Sequence, residues 1–146
     1  MKIKGPWDLV QIEEYLDESV LPARIGVTSP NGWPMVVSLW FLFENGSLFC
    51  ATKESSRVAE CLRSSNRCAF EIARDKAPYF GVRGQGTATL ASENAHDLLV
   101  RLADRYLDNP DSVFRRRLLT NTANETLIRI DPVSFHCWDY RSRMAA

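Results

Sequence analysis

Residues Trp33 to Arg63 read WPMVVSLWFLFENGSLFCATKESSRVAECLR and carry the most informative pattern in the chain. Met35 to Phe43 is rich in β-branched and aromatic residues, which predicts a strand. Asn45-Gly46 predicts a tight hairpin turn, because both turn positions need a positive φ. Ser47 to Ala51 is then a second strand. A helix follows from about Ser56, since apolar residues recur there at helical spacing.

The junction between the second strand and this helix combines hydroxyl groups with cations: Thr52, Lys53, Ser56 and Arg57. A helix N-terminus has unsatisfied N–H groups and a partial positive charge, so added cations are unfavourable there unless an anion is bound. A phosphate would use the N–H groups, hydroxyls and cations together. A serine cap followed by a solvated arginine is the simpler interpretation, and the residues alone leave both open.

The order of these elements resembles the pyridoxamine 5′-phosphate oxidase-like, FMN-binding split-barrel family. The resemblance rests on the strand, the Asn-Gly turn, a strand ending in Ala51-Thr52, and a helix that opens with Ser56-Arg57. It implies a mainly β (α+β) fold, a split β-barrel of about six antiparallel strands with flanking helices, in one domain over residues 1–146. It extends to three other strand-like segments: Pro22–Val27, Val82–Leu90 and Ile130–Tyr140.

The resemblance also implies a cofactor site. Thr52, Ser56 and Arg57 would hold the FMN phosphate, with help from Lys53, and the flavin ring would lie along the strand that contains Ser38. Family members form homodimers with the cofactor at the interface, and Trp138 would approach the flavin from the partner subunit; its alternative role is that of an ordinary barrel aromatic. The predicted cofactor-binding residues are Val36, Val37, Ser38, Leu39, Ala51, Thr52, Lys53, Ser56, Arg57 and Trp138.

Departures from the family pattern limit the predicted activity. Val58 stands where the oxidases carry a lysine, and the position of their flavin-contacting glutamine falls at or near Gly81. No histidine lies between Arg141 and Arg143. The resemblance therefore implies an FMN-dependent oxidoreductase that passes hydride between flavin and a nicotinamide or small organic substrate, but not pyridoxamine phosphate oxidase itself. The alternatives are the deazaflavin F420, haem with His136 as axial ligand, or a non-catalytic flavin-binding or stress-response protein.

Composition excludes several classes of function. Eighteen basic and eighteen acidic residues cancel, so no nucleic-acid partner is predicted. No apolar run resembles a signal peptide or a membrane span, which predicts a cytoplasmic protein. The small-molecule substrate is implied by the family resemblance. The four cysteines show no metal-ligand spacing and are predicted to be buried, reduced thiols. No metal site, catalytic dyad or other catalytic residue is assigned.

The rest of the chain alternates predicted helices and strands. Arg115 to Arg117 is expected to be a solvated charge run, and His96 and His136 are expected to be structural or exposed. Glycines within Tyr79–Leu90 indicate a bulge or a close backbone approach. The predicted helices are 6–19, 92–106, with Ser92 as cap, and 111–120, and the predicted strands are 23–28, 67–74, 79–90, 125–130 and 133–140, the last two hinged at Asp131-Pro132.

Overall fold

A computed structural model describes residues 1–145 and contains eight strands and four helices. The strands are β1 (Lys2–Lys4), β2 (Ala23–Thr28), β3 (Pro34–Leu39), β4 (Leu42–Glu44), β5 (Ser47–Lys53), β6 (Arg67–Ala73), β7 (Phe80–Ala91) and β8 (Glu125–Asp139). The helices are α1 (Leu9–Glu18), α2 (Arg57–Ser64), α3 (Ala95–Tyr106) and α4 (Val113–Thr120). The predicted mainly antiparallel sheet with flanking helices is confirmed.

All eight strands belong to one sheet with the order β3-β2-β6-β7-β8-β5-β4, and β1 adds to β8 in parallel. The sheet closes on itself, because β3, at one end of this order, has Cα atoms within 8 Å of β5, the strand next to the other end. The sheet therefore curls around a core whose largest fully buried side chains include Phe41 and Phe135. Helix α1 contributes Ile12 and Leu16 to the same core, and α2 contributes Leu62.

The strand boundaries differ from the prediction in three places. The predicted strand Met35–Phe43 is interrupted, because the Phe41 N–H bonds to the Tyr106 hydroxyl (3.2 Å) instead of a strand partner. The hinge expected at Asp131-Pro132 is absent: β8 continues through it, and a register shift between Gln85 and Gly86 on β7 accommodates the irregularity. Strand β1, which pairs with β8, was not predicted. With β1 added, Met35–Phe43 divided into β3 and β4, and the two C-terminal strands joined as β8, the sheet has eight strands instead of about six.

The helix termini also correct the prediction. Helix α1 begins after Asp8, whose side chain forms a reciprocal capping box with Gln11, and not at Pro6. The N-cap of α3 is Asn94, in the left-handed region, and not Ser92. On α4, Arg115 is not simply solvated: it pairs with Asp104 (2.7 Å) and its side chain is only 13% exposed.

The predicted state of the cysteines is confirmed. All four thiols are free and buried. Burial raises the pKa of Cys50 to about 12 and that of Cys68 to about 11, so both remain protonated and unreactive at neutral pH. Within residues 1–145, no helix combines the length and apolar character that a membrane crossing requires.

A carboxylate near the end of β8 predicts acid sensitivity. Hydrogen bonds from Arg141 lower the pKa of Asp139 to about 2, and the Trp7 indole N–H also donates to it (3.2 Å). Because the folded pKa lies below its ordinary 3.8, this stabilisation is present above about pH 4 and is lost as pH falls towards 2. The difference in melting temperature between wild type and Asp139→Asn should therefore shrink across that window. A constant difference would contradict the assignment.

Candidate functional site

The junction between β5 and α2 provides hydrogen-bond donors at a helix N-terminus. The Ser56 hydroxyl accepts from the Ala59 N–H (3.2 Å) and caps the helix. The backbone N–H groups of Arg57 and Val58 have no acceptor within the described residues. These two N–H groups and the positive end of the helix dipole can hold a phosphate, provided that the neighbouring side chains allow it.

Both cations of the junction are ion-paired. Arg57 pairs with Glu60 (2.7 Å), and both side chains are about half exposed. Such a pair contributes little free energy, so an anion could replace Glu60 as the partner of Arg57. Lys53 is different, because it pairs with Glu125 (2.8 Å), whose side chain is only 6% exposed. Breaking that pair would leave a buried carboxylate without a counterion, so Lys53 is already committed to the fold.

Strand β3 approaches β5, the strand that leads into this junction. The only strand partner of β3 within residues 1–145 is β2, so its other backbone edge is unpaired. Val36 and Ser38 are the more exposed side chains, whereas Val37 and Leu39 pack against the core. An unpaired edge presents N–H and C=O groups in a row, which is the arrangement that a planar ligand with polar edge atoms would need.

Within the described residues, the segment of β5 from Cys50 to Lys53 likewise pairs only with β8, because β4 stops at the partner of Phe49. The split in the barrel therefore lies between the free edge of β3 and this part of β5. Ala51 packs against the cluster that includes Leu98 and Leu102 of α3, and Thr52 follows it, paired with Thr126 of β8. Seven of the ten predicted cofactor-binding residues therefore lie on the two strands that border this split, and Ser56 and Arg57 follow β5 at the start of α2.

Trp138 lies elsewhere in the chain. It is on the half of β8 beyond the segment that pairs with β5, and its register partner on β7 is Gly81. The Arg83 guanidinium stacks 5.5 Å from its ring centroid. A side chain at Gly81 would meet the Ala73 Cβ at 2.7 Å, so no glutamine could occupy this position. The approach of Trp138 to a cofactor in a partner subunit stays a prediction.

Sequence reasoning missed the two carboxylates that neutralise the junction. Glu60 lies three residues after Arg57, a spacing that places the two on one helix face, so this ion pair could have been predicted from the sequence. Glu125 lies 72 positions after Lys53 and becomes its neighbour only through the β5–β8 register. No local pattern could have identified that second pair.

The geometry of His136 bears on the haem alternative. Arg83 Nη2 lies 3.0 Å from His136 Nδ1. Because a guanidinium can only donate, Nδ1 is the acceptor and the neutral ring carries its proton on Nε2. An axial ligand needs a nitrogen with a free lone pair, so His136 could ligate iron only after this contact is rearranged.

Solved structures confirm the predicted fold. An F420 reductase superimposes with a TM-score of 0.71 and 20% identity, covering 84% of this chain and 94% of that one. A conserved hypothetical protein of Mycobacterium tuberculosis gives a TM-score of 0.79 and 20% identity over 94% and 88% of the two chains. HutZ, the haem storage protein of Vibrio cholerae, gives 0.65 and 15% over 85% and 89%.

These similarities show that the chain has the predicted split-barrel fold, which a pyridoxamine 5′-phosphate oxidase-like protein of Listeria innocua shares at a TM-score of 0.64. At 15–20% identity they describe the fold alone. No family model matches the sequence, and no curated protein matches it.

Proposed function

We propose that this chain is a flavin-dependent oxidoreductase that binds FMN, or the related deazaflavin F420, in the split between β3 and β5. Two observations carry the proposal: β3, which approaches β5, has an unpaired edge, and the helix that follows β5 begins with N–H groups that have no acceptor within residues 1–145. The split-barrel fold, shared with an F420 reductase, supports a flavin-type cofactor.

Each wall of the split would have a distinct task. The N–H groups of Arg57 and Val58 and the hydroxyl of Thr52 would donate to the phosphate, while Arg57 would exchange Glu60 for it. The main chain of β3 would face the polar edge of the ring, and Val36 would cover part of its apolar surface. A bound flavin supplies hydride transfer with a nicotinamide or small organic substrate, so the protein needs only to bind and orient the reactants.

A homodimer is part of the proposal. Val36 and Val133 are 70% and 54% exposed and line one open cavity on the outer face of the sheet, with Trp33 (74% exposed) beside β3. Exposed apolar clusters of this kind commonly mark interfaces. A second copy on this face would bury them and could bring Trp138 towards the partner's cofactor. A solution mass near 16.6 kDa, that of the monomer, would contradict the dimer.

The absorption spectrum of the purified, reconstituted protein tests the choice of cofactor. Stoichiometric retention of FMN or F420 after gel filtration supports the proposal, and oxidation of reduced nicotinamide by the loaded protein separates an enzyme from a binding protein. Haem is the second candidate because HutZ shares the fold. A Soret band together with no retention of flavin would show that the cofactor is haem and would contradict the flavin proposal.

Arg57 should contribute measurably to cofactor affinity. Arg57→Gln removes a charge-assisted hydrogen bond to the phosphate, so we expect about tenfold weaker FMN binding by fluorescence quenching. Arg63→Gln is the matched control: Arg63 lies in the last turn of the same helix, where it donates to the Glu54 carbonyl (2.7 Å). Equal affinities for Arg57→Gln and wild type would remove the phosphate assignment.

A further inference from the structure

A second cavity-forming surface lies on the outer face of the sheet and includes none of Thr52, Ser56 and Arg57. The cavity measures about 700 Å³. Two adjacent cross-strand rows form it, because the register of β1, β8, β7, β6 and β2 places their outward side chains side by side. The first row is Lys4, His136, Arg83, Glu71 and Arg24; the second is Lys2, Ser134, Gln85, Ala69 and Gly26, ending at Val36 on β3.

The lining has a large excess of positive charge. It contains four cations and a single carboxylate, Glu71, which leaves a net of three positive charges with His136 neutral. Within residues 1–145, no carboxylate oxygen lies within 4.0 Å of any of these cations; the six ion pairs of the described chain involve other residues. Cations this close together repel one another, and a bound anion would offset that repulsion.

The polar contacts inside the cavity leave donors available. Arg24 Nη1 donates to the Ser38 hydroxyl (2.7 Å), and Arg83 Nη2 to His136 Nδ1 (3.0 Å). Both acceptors are neutral, so neither guanidinium is neutralised. The contact from Arg83 also places the His136 proton on Nε2, which turns this ring into a donor. Ala69 has only a methyl group and Gly26 has no side chain, which leaves open space beside the charged row.

We propose that this cavity binds a small molecule through an oxyanion group, a phosphate or a carboxylate, held by Arg83, Lys4 and the Nε2–H of His136. Arg24 and Lys2 add positive charge on either side of these residues. The exposed methyl group of Ala69, on the outer face of β6, would contact the uncharged part of the ligand. This site is separate from the phosphate position proposed at α2.

A dimer through the same sheet face would strengthen the site. In a twofold interface each patch meets its own copy, so an excess of positive charge would face another. Bound anions would then relieve repulsion between subunits as well as within one. This step alone rests on the dimer proposed above, and the charge balance of the single chain does not depend on it.

NMR of the two imidazole rings provides the test, with the full chain at low ionic strength and no flavin added. Pyrophosphate and citrate are titrated separately, which distinguishes a phosphate from a carboxylate ligand. We expect saturable shifts of the His136 ring resonances with one of them, while His96, on α3 and bonded to Thr122 (2.7 Å), does not shift.

Matched variants complete the test. Arg83→Gln should weaken binding by about tenfold, because it removes a charged donor. Arg117→Gln removes the same charge from the exposed side of α4 and should leave the affinity unchanged. No saturable shift with either anion, or equal affinities for Arg83→Gln and wild type, would overturn the proposal. Retention of flavin by Arg83→Gln would show that flavin binding does not depend on this cavity, so that either proposal can fail without the other.

Discussion

Gly84→Ala is expected to lower the free energy of unfolding by about 3 kcal/mol, the upper range for overfilling a packed core. Gly84 is buried at the centre of β7. A Cβ there would overlap the backbone oxygen of Ser134 and approach Phe70 Cζ to 2.5 Å. The backbone oxygen belongs to the neighbouring strand and cannot move without displacing the β7–β8 ladder, so the strain cannot be relieved by a rotamer change.

Gly26→Ala is the control for this prediction, because Gly26 lies on β2 of the same sheet and the nearest atom to its added Cβ is 3.8 Å away. That distance is ordinary van der Waals contact, and we expect a change within about 0.5 kcal/mol. Urea denaturation measures both variants. If Gly84→Ala yields no folded protein, the double variant Gly84→Ala with Phe70→Leu is measured instead. It removes one of the two overlaps and should recover part of the lost stability. Equal stabilities of Gly84→Ala and Gly26→Ala would refute the steric explanation.

Arg105→Met is expected to destabilise the fold by about 2–4 kcal/mol, because hydrogen bonds to charged groups contribute about 1.5–3 kcal/mol each and are not additive. The Arg105 guanidinium donates to the carbonyls of Asp17 and Leu16, both at 2.8 Å, and to that of Ser19. It thereby satisfies the C-terminus of α1, at the negative end of the helix dipole. It also stacks 5.2 Å from the ring centroid of Phe41.

Arg101→Met is the matched control, since Arg101 lies one turn earlier on α3 and forms an exposed ion pair with Glu44 (3.0 Å). Exposed pairs contribute about 0–1 kcal/mol. Arg105→Lys adds a second comparison. It keeps the charge but lacks the planar guanidinium that reaches three carbonyls, so it should recover only part of the unfolding free energy lost in Arg105→Met. A loss below about 1 kcal/mol in Arg105→Met, measured by urea denaturation, would show that α1 is held by its apolar face alone.

Much of the fold could be predicted because its signals are local. The Asn45-Gly46 turn appears as expected, with φ of 52° and 82°, and alternating burial along β6 follows its alternating sequence. The interruption at Phe41 could not be predicted, because it depends on the hydroxyl of Tyr106, 65 residues away. Local propensity favours a continuous strand there, and a tertiary hydrogen bond overrides it.

The candidate site shows the same division. The helix start at Ser56 with its exposed Arg57 follows from local pattern, and together with Thr52 and Lys53 it indicates an anion site. That Lys53 balances a buried carboxylate, and that five strands place four cations around one cavity, depends on strand register. Register brings together residues more than 100 positions apart, such as Lys4 and His136.

The amino-acid sequence by itself determined the strand–turn–strand–helix unit, the state of the cysteines and the balanced charge, because hydrophobic period, turn chemistry and composition act over a few residues. Only the tertiary structure decided where the barrel splits, which cations are neutralised and which are not. Those outcomes depend on which strands become neighbours and in what register, and a shift of one residue would turn every outward side chain of a strand to the opposite face.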